Sequence, residues 1–424
     1  MKLLIEGKSP ISGEITVSGN KNAALPAIAC ALLSDEDVTL HNIPMINDVR
    51  AMLEIAESLG VSIDIKGSSV TINASGLKHC TVSRENCSRL RTSLLFAAPL
   101  LARLGKAVLY PPGGDVIGRR RLDGHFYGLT TLGAQIDDAN GIYNFEAPSK
   151  LHGRELFLDE ASVTATEQIM IAAATARGIT HLYNAASEPH ICDLGNLLNA
   201  MGAKISGLGS NTIIIEGTEV LHGADYTIAG DHIEAGSFLA LGAATGGELT
   251  IKGIQRKHYW MTHRIFERFG INIELSENQI HLPGNQHLAV KRDFGGAIPE
   301  ISDGPWPQYP TDMMSCTIVM ATQAEGTVLF FEKMFESRLY FIDRLISMGA
   351  NAIVCDPHRA VISGPAQLRG TTLSSPDIRA GMALVIAAMC AHGRSTINSS
   401  EIIYRGYENL VEKLQAIGGK ITAC

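Results

Sequence analysis

The sequence predicts an α/β protein of two domains, each made of three copies of one helix-and-strand repeat. Three observations point there. A helix-stopping glycine recurs six times at near-constant spacing, a second glycine followed by a short strand recurs upstream of it, and the last repeat lacks a strand that the first residues of the chain can supply. At 424 residues the chain is also too long for a single compact core, so a division in two agrees with its size.

The first marker is a Leu-Gly, Met-Gly or similar pair, at Leu59-Gly60, Leu132-Gly133, Met201-Gly202, Phe269-Gly270, Met348-Gly349 and Ile417-Gly418. Subtracting the glycine positions gives separations of 73, 69, 68, 79 and 69 residues. A fixed period of this length marks a repeated structural element. Each pair follows an apolar-periodic segment, such as Asp343 to Met348, and precedes a strand-like stretch. That order reads as a helix stopped by a glycine in the left-handed conformation just beyond its last turn.

About two dozen residues upstream of five of these glycines stands the second marker, a glycine followed by a short strand: Gly105 to Leu109, Gly178 to Leu182, Gly247 to Ile251, Gly326 to Phe330 and Gly393 to Ile397. Asp37 to Leu40 takes its place in the first repeat. Before these strands lie helices rich in small residues, for example Ile169 to Ala176 and Ala380 to Ala391. Small side chains on every face suit helices packed closely inside a core. Each repeat therefore reads helix, strand, helix, strand and a further strand through a turn.

That further strand follows in five repeats, as in Thr212 to Glu216 and Ala360 to Gly364, but the sixth stops at Gly419 to Cys424. The chain opens with Leu3-Leu4-Ile5-Glu6-Gly7, which fits the missing strand. The expected domains are then residues 21–230, and residues 1–20 plus 231–424, three repeats each. The competing explanation is a chance match among short strands.

Composition narrows the class of function. The net charge of −8 argues against a dedicated nucleic-acid or anionic-membrane binder. The longest apolar stretch, Ala380 to Ala391, falls far short of the roughly 20 residues a spanning helix needs. The first seven residues are charged too early for a secretion signal. Eight cysteines are scattered without a C-x-x-C pair or a Cys/His cluster at metal-ligand spacing. A reducing cytoplasm and no structural metal are expected.

Chemistry is expected where the small-residue helices begin, because a helix N-terminus offers free N–H groups and partial positive charge. The six starts are Ser18 to Asn22, Arg89 to Ser93, Ala161 to Thr164, Gly230 to Glu234, Pro310 to Met313 and Pro376 to Arg379. Asp231 and Asp377 suit N-caps, and a capping role alone competes evenly with a functional one. Lys21, Arg91 and Arg379 oppose the helix dipole and do not cap, which marks them as functional candidates. Arg120, Arg338 and Arg405 come from the second helices or the loops before them. The glycine-rich stretch from Pro111 to Gly118 reads as a mobile loop, and Arg119 and Arg121 as solvated neighbours. Should the helix starts of both domains face one cleft, six cations in an acidic protein make a site for a highly anionic, phosphorylated ligand. No Walker A sequence or dinucleotide-binding glycine fingerprint is present.

These residues resemble the enolpyruvyltransferase family over essentially the whole chain, in particular the UDP-N-acetylglucosamine 1-carboxyvinyltransferases of peptidoglycan synthesis. The resemblance rests on Ser18-Gly19-Asn20-Lys21-Asn22-Ala23-Ala24-Leu25-Pro26, Gly113-Gly114-Asp115 with Arg120, Asn184-Ala185-Ala186 with Glu188-Pro189, Tyr309-Pro310-Thr311-Asp312-Met313, Phe335-Glu336-Ser337-Arg338 and Arg405-Gly406-Tyr407-Glu408. It implies two inside-out α/β barrel-like domains of three repeats each with the active site between them. The related shikimate enolpyruvyltransferases typically carry Gly-Ser-Lys-Ser where this chain has Gly19-Asn20-Lys21-Asn22.

The implied reaction moves the enolpyruvyl group of phosphoenolpyruvate to the 3-hydroxyl of UDP-N-acetylglucosamine and releases phosphate, without metal or organic cofactor. By residue matching, Asp312 would accept the hydroxyl proton, and Asp115 and Lys21 are the candidate acids for the vinyl carbon. Lys21, Asn22, Arg120, Arg405, Arg338 and Arg379 would hold phosphoenolpyruvate, with Arg338, Arg379, Asp231 and Glu336 bridging the domains or supporting the site. Asn22, Arg91, Arg120, Arg121, Leu122, Asp123, Gly124, Ser162, Val163, Asp312 and Met334 would line the UDP-sugar site. The loop 111–121 would close over it. Small-molecule substrates are the expected partners, with no nucleic acid or membrane.

Three departures bear on this. Asp115 stands where most members have Cys, and a carboxylate is a poor nucleophile toward the epoxide of fosfomycin, so insensitivity to that inhibitor is expected. Arg121-Leu122-Asp123-Gly124 replaces the usual Pro-Val-Asp-Leu, and His232 a common Arg. A sister transferase acting on another nucleotide sugar, a nucleotide or shikimate 3-phosphate therefore remains the second reading. A non-catalytic nucleotide-sugar sensor is a third, which the presence of Lys21, Arg120, Asp312 and Arg405 disfavours. His190 beside Asp193 is read as a packing residue.

Overall fold

The six glycines that end the second helices all adopt positive φ, from 75° at Gly270 to 111° at Gly133. In each case the residue before the glycine is the helix C-cap, Leu59, Leu132, Met201, Phe269, Met348 or Ile417. A side chain at these glycines would be strained, so the repeat is a backbone requirement as much as a sequence pattern. The structure, a computed structural model, describes every residue of the chain except 116 and 119.

The chain divides into two compact units. The terminal unit holds Met1–Ser18, Asp115–Arg119 and Gly230–Cys424, and the inserted unit holds Gly19–Gly114 and Arg120–Ala229. The expected boundaries at 20/21 and 230/231 lie one or two residues from these, and the segment from Asp115 groups with the terminal unit rather than with its sequence neighbours.

Among the described residues each unit contains three sheets wrapped around buried helices. In the terminal unit the helices His232–Thr245, Thr311–Gln323 and Ile378–Cys390 pack on one another, and Ile378–Cys390 is buried along its whole length. The glycines and alanines in two of these helices allow the close approach: a Cβ at Gly236 would sit 2.0 Å from the Met313 side chain. Leu3, Ile5 and Phe238 join Ile386 and Ile397 in one core, while Ile28, Phe96, Ile169 and Ile213 belong to the core of the inserted unit. Helices inside and sheets outside make each unit an inside-out α/β domain.

The missing strand is found at the start of the chain. Strand Lys2–Glu6 lies between Arg394–Asn398 and Lys420–Ala423, antiparallel to both, with Leu3 opposite Ile397 and Ala423. One feature departs from the sequence reading. Most sheets carry an additional short strand parallel to the marker strand, such as Glu155–Phe157 beside Ile179–Tyr183 and Ser12–Thr16 beside Glu248–Lys252. These strands are only three to five residues long, which leaves too little alternation to read. Among the described residues no helix is long and apolar enough to cross a membrane.

Candidate active site

In the terminal unit the helix Thr311–Gln323 opens after Pro310 with no side-chain cap, and Asp312 is its second residue. Arg338 Nη2 donates to Asp312 Oδ1 at 2.8 Å, and Arg379 Nε donates to Oδ2 at 2.9 Å. Both arginines are nearly inaccessible, 3% and 5% exposed, whereas the Asp312 side chain keeps 26%. Burial opposes ionisation of Asp312, but the Arg379 and Arg338 guanidiniums outweigh it and hold the carboxyl well below the usual carboxylate range. Arg338 Nε and Arg379 Nη1 are buried without a hydrogen-bond partner among the described residues. Such donors are costly to bury unpaired, and they suit an anionic ligand beside the carboxylate.

Around this centre, Arg379 lies over the Tyr407 ring at 5.5 Å and Arg338 over the Phe335 ring at 5.5 Å. Asp377 caps the helix that starts at Ile378 by accepting from the Arg379 and Ala380 N–H groups. Asp231 caps His232–Thr245 in the same way, through the N–H groups of Ile233 and Glu234. Both carboxylates therefore act as N-caps, and each also faces an arginine of this centre, Asp231 facing Arg379 and Asp377 facing Arg338. His232, which follows Asp231, packs edge-on to His258 at 6.0 Å and to Trp306 at 5.7 Å. Burial and the neighbouring His258 and Arg379 push His232 down to about 3, so it is a neutral ring where an arginine is common.

The Asp115 segment meets two parts of the terminal unit. Asp115 Oδ1 accepts from Arg405 Nη1 at 2.6 Å, and the Ser337 N–H donates to the Ile117 carbonyl at 3.1 Å. Gly118 has φ +137°, and a Cβ there would come within 2.2 Å of Glu336 Oε2. The segment passes this close to the Glu336 turn because residue 118 has no side chain. Arg119 lies outside the described residues.

In the inserted unit, Asn20 caps the helix Lys21–Ala31 by accepting from the Asn22 and Ala23 N–H groups at 2.8 and 3.2 Å. Lys21 opens this helix and forms an ion pair with Asp48 at 2.8 Å, both largely buried. The cation that the helix dipole disfavours is therefore held by a carboxylate from the next helix, Asn47–Ser58.

Arg91 opens a 3₁₀ segment, Arg91–Phe96, instead of an α-helix; the α-helix follows at Ala97–Leu104. Its guanidinium donates to the carbonyls of Arg120 at 3.2 Å and Arg121 at 2.7 Å. Burial and the Arg120 charge push Arg91 down to about 10. Arg91 thus fixes the backbone that carries Arg120. Arg121 and Asp123 are exposed and pair with each other at 2.8 Å, and Leu122 precedes the helix Asp123–Thr131. Gly124 lets that helix approach the next, since a Cβ there would lie 3.2 Å from the Ala165 Cβ. Ser162 precedes Val163–Ala173 without a side-chain cap bond, which leaves that N-terminus open to an acceptor.

The structure brings together Asp312, Arg338 and Arg379, and Met334, 39% exposed, lies in the segment that leads to Arg338. It pairs Asp115 with Arg405, and groups Arg91 with Arg120 and Arg121. Sequence reading did not find Asp48, which has no local pattern to mark it as the partner of Lys21. It also missed Asp303 and Glu332, each of which directly follows a strand and has no pattern of its own. Among the described residues no group of three His, Cys, Asp or Glu side chains could hold a metal ion.

Residues 5–414 match the family described as EPSP synthase (3-phosphoshikimate 1-carboxyvinyltransferase). The chain is 52% identical to UDP-N-acetylglucosamine 1-carboxyvinyltransferase of Treponema pallidum, over 98% of each chain. It is 50% identical to the protein of that name from Bradyrhizobium diazoefficiens, over 99% of this chain and 97% of the other. Among solved structures, the enolpyruvyl transferase NikO from Streptomyces tendae superposes with a TM-score of 0.88 at 24% identity, covering 99% and 98% of the two chains. EPSP synthase from Acinetobacter baumannii superposes with a TM-score of 0.78 at 19% identity over the full length of both. The two structural likenesses speak for the fold.

Proposed function

Because the chain belongs to the enolpyruvyltransferase family, among the UDP-N-acetylglucosamine 1-carboxyvinyltransferases, we infer that it transfers the enolpyruvyl group of phosphoenolpyruvate to the 3-hydroxyl of UDP-N-acetylglucosamine and releases phosphate. The observation that carries the reading is the Asp312 centre. A proton acceptor held between two buried guanidiniums with unpaired N–H groups suits a hydroxyl nucleophile beside an anionic reactant.

In this account Asp312 takes the proton of the 3-hydroxyl as the oxygen attacks C2 of phosphoenolpyruvate. The two arginines hold Asp312 ionised but make it a weak base. Binding of an anion by Arg338 and Arg379 would draw off part of their charge, and exclusion of water would strengthen the carboxylate as a base. A proton delivered to the vinyl carbon completes the addition; loss of a proton from the resulting methyl group with departure of phosphate restores the double bond on the product. Lys21 and Asp115 are the proposed acids. Lys21, Asn22, Arg120, Arg405, Arg338 and Arg379 are the proposed ligands of phosphoenolpyruvate.

Arg91, Arg120 to Gly124, Ser162, Val163, Asp312 and Met334 are the proposed lining of the nucleotide-sugar site. Arg91 acts there through the carbonyls of 120 and 121, and the uncapped N-terminus at Val163 is suited to a phosphate. The reaction would supply peptidoglycan precursors, and the cytoplasm is its proposed compartment. Asp115 in place of a thiol gives the enzyme insensitivity to fosfomycin.

The test is phosphate release from phosphoenolpyruvate with acceptors offered one at a time. Release with UDP-N-acetylglucosamine alone is expected. Release only with shikimate 3-phosphate or another nucleotide sugar would overturn the acceptor, and release with none would overturn the activity.

A further inference from the structure

Two carboxyl groups that the proposed reaction does not use, those of Asp303 and Glu332, are completely buried. They leave the ends of two parallel paired strands, Glu300–Ser302 and Gly326–Phe331. The Lys333 N–H donates to Asp303 Oδ1 at 2.5 Å, while Asp303 Oδ2 is buried with no hydrogen-bond partner. Glu332 faces a different set of donors. Thr311 Oγ1 lies 2.9 Å from both of its oxygens, and Oε1 accepts from the N–H groups of Met334 at 3.2 Å and Phe335 at 3.1 Å.

The paired strand ends set the two side chains next to each other, within hydrogen-bonding reach; as two carboxylates they have no hydrogen to place between them, and two buried negative charges repel. One proton resolves both problems, giving Asp303 Oδ2 the donor it lacks. We propose that Asp303 and Glu332 hold one proton between them, and that the resulting singly charged, hydrogen-bonded pair is a positioning device tying the helix start at Thr311–Asp312 to the turn from Met334 to Arg338.

The connections close a ring. Glu332 binds Thr311, the residue before Asp312; Asp312 accepts from Arg338; Arg338 packs on Phe335; and the Phe335 N–H returns to Glu332. The proposed base and the proposed sugar contact Met334 are thereby held by a single side chain. This role rests on the function proposed above. Burial and the bond to Asp303 push Glu332 up to about 9 against the pull of Arg338, in line with a Glu332 carboxyl that keeps its proton at physiological pH. The other charged or titratable groups facing the pair are His358, whose Nδ1 meets the Glu332 carbonyl at 2.7 Å, and Lys333, whose Nζ is turned to Ser302 Oγ at 2.9 Å.

The test compares Glu332→Gln with Glu332→Ala. The glutamine amide can donate to Asp303 while its oxygen still accepts from the backbone, so it imitates the protonated acid. Glu332→Gln should keep the wild-type kcat and KM. Glu332→Ala frees the ring and should raise KM for UDP-N-acetylglucosamine and lower kcat, together about 10²-fold in kcat/KM. Infrared spectra of the substrate-free protein in heavy water should show a protonated-carboxyl C=O band at neutral pH that is lost in Glu332→Gln. Absence of that band from the wild type, or wild-type kinetics in a folded Glu332→Ala, would overturn the proposal. The band is read without substrate, so it separates failure of the pair from failure of the proposed reaction.

Discussion

Replacing Asp115 by Asn asks what the loop carboxylate does to the anion site. Asp115 and Arg405 pair at 2.6 Å with side chains 20% and 23% exposed. Phosphoenolpyruvate, if it uses Arg405, has to displace this carboxylate. A hydrogen bond between charged groups contributes about 1.5–3 kcal/mol, and both side chains still reach solvent, so the lower figure of about 1.5 kcal/mol applies. That corresponds to about tenfold in a binding constant. Calorimetric titration of phosphoenolpyruvate without acceptor should therefore show about tenfold tighter binding to Asp115→Asn than to wild type, whatever happens to turnover. Removing a negative charge also attracts anions at long range, and the Arg405→Ala background separates the two effects. There Asp115→Asn should bring little further gain, because the local competition is already gone. Equal or weaker binding by the single variant, or the same gain in both backgrounds, would refute the competition.

Other consequences can be checked directly. Asp115→Cys should convert an insensitive enzyme into one that fosfomycin inactivates over time with a covalent adduct; inactivation of the wild type through Asp115 would contradict the account. Asp312→Asn should lower kcat about 10²–10⁴-fold and, by leaving two buried arginines without their carboxylate, lower stability by about 3 kcal/mol or more. Chemical denaturation would register that loss.

The pH dependence of stability has an unusual sign. Burial pushes His125 and His258 down to about 4 and His232 to about 3, so their contribution is full above pH 6.5 and is lost as pH falls toward those values. Burial raises Glu167, Glu234 and Glu332 above 4.5, so theirs is full below pH 4.5 and is lost as pH rises. The two groups oppose each other between pH 4.5 and 6.5, where melting temperature should change little. Above pH 6.5 the histidines are neutral in both states, and stability should fall by about 1.4 kcal/mol per pH unit for each of these carboxyls still protonated. A melting temperature that rises from pH 6.5 to 9 would contradict this.

The repeat was legible because it depends on backbone geometry. Gly60, Gly133 and their four counterparts mark positions where φ is positive, and such positions restrict residue type strongly enough to read without an alignment. The N-terminal strand was legible for a related reason, since a strand absent from one end and present at the other has one economical solution. The short parallel strands were not, because three residues such as Thr372–Ser374 carry no usable period.

At the site, helix starts with the wrong charge pointed to Lys21 and Arg379. The side chains that explain them, Asp48 and Asp312, come from other helices, and no spacing rule connects residues so far apart in sequence. Arg91 was found for its charge, but its bonds to the 120 and 121 carbonyls follow from packing alone. Asp303 and Glu332 were invisible for the same reason, each being an ordinary acidic residue in the sequence until the fold buries both.

The central claim is that this chain joins the enolpyruvyl group to the sugar through addition and elimination. Nuclear magnetic resonance of the product formed from phosphoenolpyruvate and UDP-N-acetylglucosamine in deuterated water tests it most directly. The account predicts an enolpyruvyl ether at the 3-oxygen, one phosphate per ether, and solvent deuterium in the vinyl group, because the transient methyl group loses either isotope. Phosphate released with the sugar unchanged, or a vinyl group free of deuterium, would contradict it.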